Sequence, residues 1–198
     1  MGGRVLRGPK VEARLYTWDP DRSSLRWDGP VYTDDGEPVT VYNGWDLEPS
    51  VQLNLMQERK GRLTDVLYFL GLKLFVSERA AEVMLANRPR GVTVHMLNLR
   101  HRDGTLLSEY FWLNVHTLAE LLDRERSAFR EWEVGRGISH ISHIDRLHLL
   151  EENIPDEDLF VFRETAQVVF SSRLVSAVTS ARLTGIKFEP IGEGYRFP

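Results

Sequence analysis

A chain of 198 residues with 42% hydrophobic and 27% charged residues has the make-up of an ordinary globular protein, and this length fits one domain that folds without covalent staples. It has no cysteine, which excludes disulfides, thiolate metal sites and a cysteine nucleophile, and which suits a reducing compartment. Its 25 basic and 29 acidic residues leave a net charge of −4, which argues against nucleic acid as a partner, because that binding needs a dense basic face.

The chain opens on the basic run Met1 to Arg7, but Pro9, Lys10 and Glu12 follow where a signal peptide would carry its apolar stretch. The longest apolar stretch, Val66 to Val76, is interrupted by Gly71 and Lys73, so nothing approaches the ~20 apolar residues that span a bilayer. The expectation is a cytoplasmic protein without a membrane partner. Residues 1–62 read as a loop- and hairpin-rich N-terminal part: the first fifty hold five of the nine prolines and three of the five tryptophans (Trp18, Trp27, Trp45). One hairpin is clear there, Val31-Tyr32-Thr33 and Val39-Thr40-Val41-Tyr42 around a turn from Asp34 to Pro38. Residues 46–65 show no periodicity.

Residues 63–198 are expected to contain two related strand–helix–strand units. The segment 72–97 aligns without gaps onto 166–191, with Ser77/Ser171, Arg79/Arg173, Arg88/Arg182 and Gly91/Gly185 identical. Each copy opens with a strand, Leu74-Phe75-Val76 or Val168-Val169-Phe170, and a serine follows at the position of a helix N-cap. The helical faces are Ala80, Val83, Met84 and Asn87 in the first copy, and Leu174, Ala177, Val178 and Ala181 in the second. A glycine is expected to close each helix in left-handed geometry before a strand resumes at Val92 or Ile186.

Between the copies, Val92–Leu99 and Leu106–Asn114 flank a turn at Asp103-Gly104 and read as a hairpin. Thr117-Leu118-Ala119-Glu120 matches a capping box, predicting a short helix with Leu118, Leu121 and Leu122 on its buried side, ended by the polar residues 123–131. A strand-like tract from Trp132 to Leu150, broken at Gly135 and Gly137, leads to an acidic loop at 151–158 and the strand Leu159–Phe162. The fold class that follows is α+β in a single domain, 1–198. Its sheet is mixed or mostly antiparallel, with two similar strand–helix–strand units and few short helices.

Catalytic signatures are missing: the chain has no G-x-S-x-G elbow, no H-E-x-x-H helix and no Walker-type loop. His140, His143, Asp145 and His148 are zinc- or iron-type ligands within nine residues, which keeps a metal-dependent enzyme open as an alternative. Their spacing is poor for it, because an extended strand turns His140 and His143 to opposite faces. Two acidic clusters stand out instead: Asp34, Asp35 and Glu37 in the N-terminal turn, and Glu151, Glu152, Asp156, Glu157 and Asp158 before the second copy. Acidic loops are commonly just solvated, but set on a folded scaffold they also steer a basic partner into contact.

Leu63-Thr64-Asp65-Val66-Leu67 followed by Leu74-Phe75-Val76-Ser77-Glu78-Arg79 resembles the "D-F/L … V-S-E-R" stretch of immunity protein family 11 from bacterial polymorphic toxin systems. Ile154-Pro155-Asp156, Leu159 to Arg163, Ser171 to Leu174 and Leu183 to Phe188 are similar to that family's closing "I-P … I-F-R … S-E-R-L … T-G-L-x-F" pattern, with Ser172 in place of its glutamate. The resemblance implies an α+β immunity protein, without a cofactor and not an enzyme, that binds and neutralises a cognate protein toxin in the producing cell's cytoplasm. The two acidic clusters are the toxin-binding candidates. A scaffold module that forms a homodimer through an exposed strand edge is the remaining alternative.

Overall fold

Short apolar runs build two β-sheets, and helices with serine caps pack between them. The computed structural model describes residues 15–20, 26–27, 31–33, 35–39, 52–56, 62–69, 73–87, 89–135 and 138–191. In chain order the elements are β1 (Leu15–Pro20), β2 (Arg26–Trp27), β3 (Val31–Thr33), β4 (Pro38–Val39), β5 (Leu53–Met56), β6 (Val66–Phe69) and β7 (Leu74–Val76), then α1 (Glu78–Leu85). They continue as β8 (Val92–Arg100), β9 (Leu106–Val115), β10 (Leu118–Ala119), β11 (Ala128–Gly135) and β12 (Ile138–Arg146), and a 3-10 turn follows at Glu151–Asn153. The last are β13 (Leu159–Phe162), β14 (Gln167–Ser171), α2 (Ser172–Ser180) and β15 (Ile186–Ile191).

The larger sheet has the order β2-β6-β7-β9-β8-β5-β3-β4, the smaller one β10-β13-β14-β1-β15, and β11 and β12 form a separate ribbon. Pairs β2–β6, β5–β8 and β10–β13 are parallel and all others antiparallel, so the fold is α+β with mixed, mainly antiparallel sheets. Both sheets are apolar on both faces. Val76 and Leu113 of the larger sheet, Val161 and Phe170 of the smaller, and Met84, Leu174 and Val178 of the helices share one core. The larger sheet's other face carries Leu55, Phe75, Leu97 and Trp112. The smaller sheet's other face carries Phe160, Phe162 and Val169, covered by Ile141 and Ile144 of the ribbon.

The hydroxyl of Ser77 accepts from Ala80 N, and that of Ser171 from Leu174 N, each at 3.2 Å. Each satisfies one of the N–H groups that a helix leaves without an internal partner. Ser77→Ala and Ser171→Ala should therefore each cost about 1–2 kcal/mol, read as a lowered midpoint in thermal or urea unfolding.

Several sequence expectations need correction. The glycines do not cap the helices. Arg182, at φ +53°, takes the left-handed position after α2, and Gly91 lies well beyond the end of α1 at Ala86. Gly91 and Gly185 instead have positive φ at the start of the next strand, where a Cβ would meet Thr117 Oγ1 at 2.3 Å or Val66 O at 2.1 Å. Thr117 to Glu120 starts no helix, because β13 takes its backbone: Val161 N donates to Thr117 O and Arg163 N to Ala119 O. The N–H groups of Leu121 and Leu122 go to the Glu164 carboxylate, and Leu118, expected to be buried, is 54% exposed.

Residues 46–65, read as featureless, contain β5, parallel to β8. Its Leu53, Asn54 and Leu55 are all buried, which erases the alternation that marks a half-buried strand. The polar stretch 123–131 is partly strand, since β11 begins at Ala128. In β12 the pairing passes from Arg130↔His143 to Glu131↔Ile141, leaving Ser142 as an extra residue. That bulge lets Ile141 and Ile144, three apart, both face the core.

Candidate functional site

The acidic loop before β13 is an ordered structure. Leu150 N donates to Leu121 O, Asn153 N to Leu150 O, and Asn153 Nδ2 to Glu120 O at 2.8 Å. These bonds hold the Glu151–Asn153 turn against the segment after β10, with Glu151 and Glu152 exposed. Asp156 is exposed as well. Beside them the exposed Glu120 carboxylate accepts from Arg163.

The same loop's last two carboxylates are tied to other segments of the chain. Glu157 accepts from Arg90 N at 3.2 Å. Asp158 is 4% exposed and accepts from Ser171 Oγ, from Arg173 Nε at 3.0 Å and from Asn87 Nδ2 at 3.3 Å. Burial pushes the Asp158 pKa up, but hydrogen bonds from Arg173, Ser171 and Asn87 outweigh it and hold the carboxyl below its ordinary value.

A matching site occurs at Asp65. Its carboxylate accepts from Ser77 Oγ at 3.1 Å and from Thr184 N and Oγ1 at 2.8 Å, with Arg79 Nη1 3.7 Å away. Burial again works against ionisation, and the Thr184 and Ser77 hydrogen bonds and the Arg79 charge again outweigh it, so the pKa lies low. The ungapped alignment paired Ser77 with Ser171 and Arg79 with Arg173 but concealed the aspartates, because Asp65 precedes its serine by 12 residues and Asp158 by 13.

In the N-terminal turn, Thr33 N donates to Glu37 O at 2.9 Å and Gly36 N to Thr33 O at 3.0 Å, leaving the Asp35 and Glu37 side chains exposed. Asp34 lies outside the described residues, as do Thr40, Val41 and Tyr42 of the expected hairpin. This turn borders a groove of about 360 Å³ lined by Tyr32, Thr33, Gly36, Asn54, Met56 and Arg100. Arg100 is tied down there, donating from Nε to Asn54 Oδ1 at 2.8 Å and from Nη1 to Gly104 O at 3.0 Å. The two acidic clusters belong to different sheets: one joins β3 to β4 in the larger, the other precedes β13 in the smaller.

The histidine stretch forms the strand β12, where His143 Nε2 lies 3.1 Å from Asp145 Oδ1. His148 engages Ser127 through its backbone N–H. Among the described residues, no three of His, Cys, Asp or Glu come together as a set of metal ligands. No helix among them is long and apolar enough to cross a membrane.

No curated protein matches the chain. A family model does: the one described as Immunity protein family (Imm11) matches residues 10–193.

Proposed function

Because the chain belongs to the immunity protein family Imm11, we propose that it protects the cell that makes it by binding and neutralising a cognate protein toxin of a polymorphic toxin system in the cytoplasm. The family match over nearly the whole chain carries this reading. The protein acts by contact, covering or occluding the toxin's active site through an interface on the order of 1,600 Å². Residues 1–198 work as one domain. The strand–helix–strand stretches Leu74–Arg100 and Gln167–Ile191 are two related units that form its rigid platform.

Of the acidic candidates, Glu151, Glu152 and Asp156 are the ones exposed to a basic partner, with Asp35 and Glu37 as a second patch. Asp158 and Glu157 serve the fold. Exposed carboxylates on an ordered loop speed association more than they tighten the final complex. Reversing Glu151, Glu152 and Asp156 to lysine should therefore slow toxin association about tenfold or more at low salt, with little change in the dissociation rate. Stopped-flow or surface-plasmon kinetics read both, and an unchanged on-rate removes this loop from the interface. The reading as a whole is tested by co-expressing the chain with the product of the adjacent toxin gene. Rescue of growth and a 1:1 complex are expected, and continued toxicity with no complex would overturn it.

A further inference from the structure

The smaller sheet repeats one end of the larger sheet strand for strand. Its order β10-β13-β14-β1-β15 corresponds to β2-β6-β7-β9-β8. In each series the first pair is parallel and the next three are antiparallel. The registers agree too. Val66↔Val76 and Leu67↔Phe75 correspond to Leu159↔Phe170 and Phe160↔Val169. Val76↔Phe111 corresponds to Phe170↔Tyr16, and Val92↔Val115 and Leu97↔Tyr110 correspond to Ile186↔Pro20 and Ile191↔Leu15. The short pairs Arg26↔Tyr68 and Leu118↔Val161 also match. Chance likeness between sheets does not preserve register, since a slip of one residue turns every side chain to the other face.

Read along the chain, the equivalent elements run β1, β2, β6, β7, α1, β8, and then β9, β10, β13, β14, α2, β15. Leu15 and Tyr110, Arg26 and Leu118, Val66 and Leu159, and Ser77 and Ser171 are 95, 92, 93 and 94 residues apart. Each run places its first strand in the other run's sheet: β9 lies between β7 and β8, and β1 lies between β14 and β15. We infer that the chain is a tandem pair of one repeat, and that the slots between β7 and β8 and between β14 and β15 are acceptor sites through which the repeats exchange their leading strands. It is a strand-exchanged dimer held within one polypeptide.

The aspartate sites follow the same rule. Each carboxylate holds the serine and arginine of its own repeat's helix and reaches the loop after the helix of the other: Asp65 takes Thr184, and Asp158 takes Asn87. Glu157 accepts from Arg90 N, and Arg90 is the counterpart of Thr184. Among the described residues, the parts without a counterpart enter at one joint. β3 to β5 lie between β2 and β6, and β11, β12 and the 3-10 turn lie between β10 and β13. The repeated core is the scaffold, and these two insertions are where the halves are free to differ. None of this depends on the toxin-binding reading.

The test uses the full chain, which has no cysteine of its own, with a protease site inserted in the His101–Thr105 turn that joins the repeats. One variant carries Tyr16→Cys with Pro190→Cys, the other Met96→Cys with Phe111→Cys; both are facing pairs at equivalent positions and within disulfide reach. After oxidation of the folded protein and cleavage, each variant should run as one species of full mass on a denaturing gel and separate into two halves on reduction. Separate halves without reductant, or thiols that stay reactive, in the first variant would overturn the exchange. Thr17→Cys with Glu189→Cys, the adjacent register pair, repeats the measurement should the first variant not fold.

Discussion

Gly185→Ala is expected to cost the protein about 3 kcal/mol or more and to lower its urea midpoint accordingly. Two effects act together. The residue sits at φ +85°, and an alanine there carries left-handed strain. Its Cβ would also lie 2.1 Å from Val66 O and 2.5 Å from Thr64 Oγ1. Val66 O belongs to a strand that both sheet partners and Thr184 hold in place, since Val66 N donates to Thr184 O at 3.0 Å. The obstacle is therefore backbone, which cannot rotate away as a side chain would. Gly36→Ala is the control: its φ is similar, +81°, but nothing lies within 4 Å of the added Cβ, so only the smaller conformational cost applies. If the two substitutions cost the same, the close approach at Gly185 contributes nothing.

Asp158→Ala should be the most damaging substitution in the acidic loop, about 2 kcal/mol, even though this loop is the toxin-facing candidate. Removing the carboxylate takes the acceptor from the half-buried Ser171 hydroxyl, and also from the Asn87 amide and the Arg173 guanidinium, whose Nη2 lies 2.9 Å from Asp158 Oδ2; these last two are exposed and turn to water instead. Asp158→Asn retains the shape and loses the charge, and so separates the two contributions. The acid dependence has a definite sign. The folded pKa lies below the ordinary 3.8, so this stabilisation is complete above that value and disappears as the pH falls through the folded pKa. Asp65 acts in the same direction. The stability gap between the parent and Asp158→Asn should thus be constant from pH 7 to about 5 and narrow toward pH 2, as read by urea unfolding at each pH. A gap that widens on acidification contradicts the assignment.

Features built from neighbours in the chain were legible. Both serine caps form, and Ala80, Met84, Leu174 and Val178 are buried where the helical period puts them. The β3–β4 hairpin forms over the described residues, and β8 and β9 pair across the Asp103-Gly104 turn. The acidic candidates were legible as charges but not as surfaces. Glu151 and Asp158 look alike in the sequence, and only the distant Asn87 and nearby Ser171 and Arg173 decide that one faces solvent and the other is buried. The Thr117 to Glu120 capping box failed for a related reason. Its pattern was sound, but the Glu164 carboxylate and β13 offered the same backbone groups better partners.

By itself the sequence determined composition, the two capped helices, the turns and the family, because each depends on residues a few positions apart or on a pattern spread along the chain. Only the tertiary structure decided which strands distant in the chain lie side by side. Thr17 donates to Gln167 across 150 residues, and β1 enters between β14 and β15 with nothing in its own six residues to say so. Strand pairing uses backbone groups that every residue carries, so the choice of neighbour rests on burial summed over both faces of a sheet, and no local pattern records it.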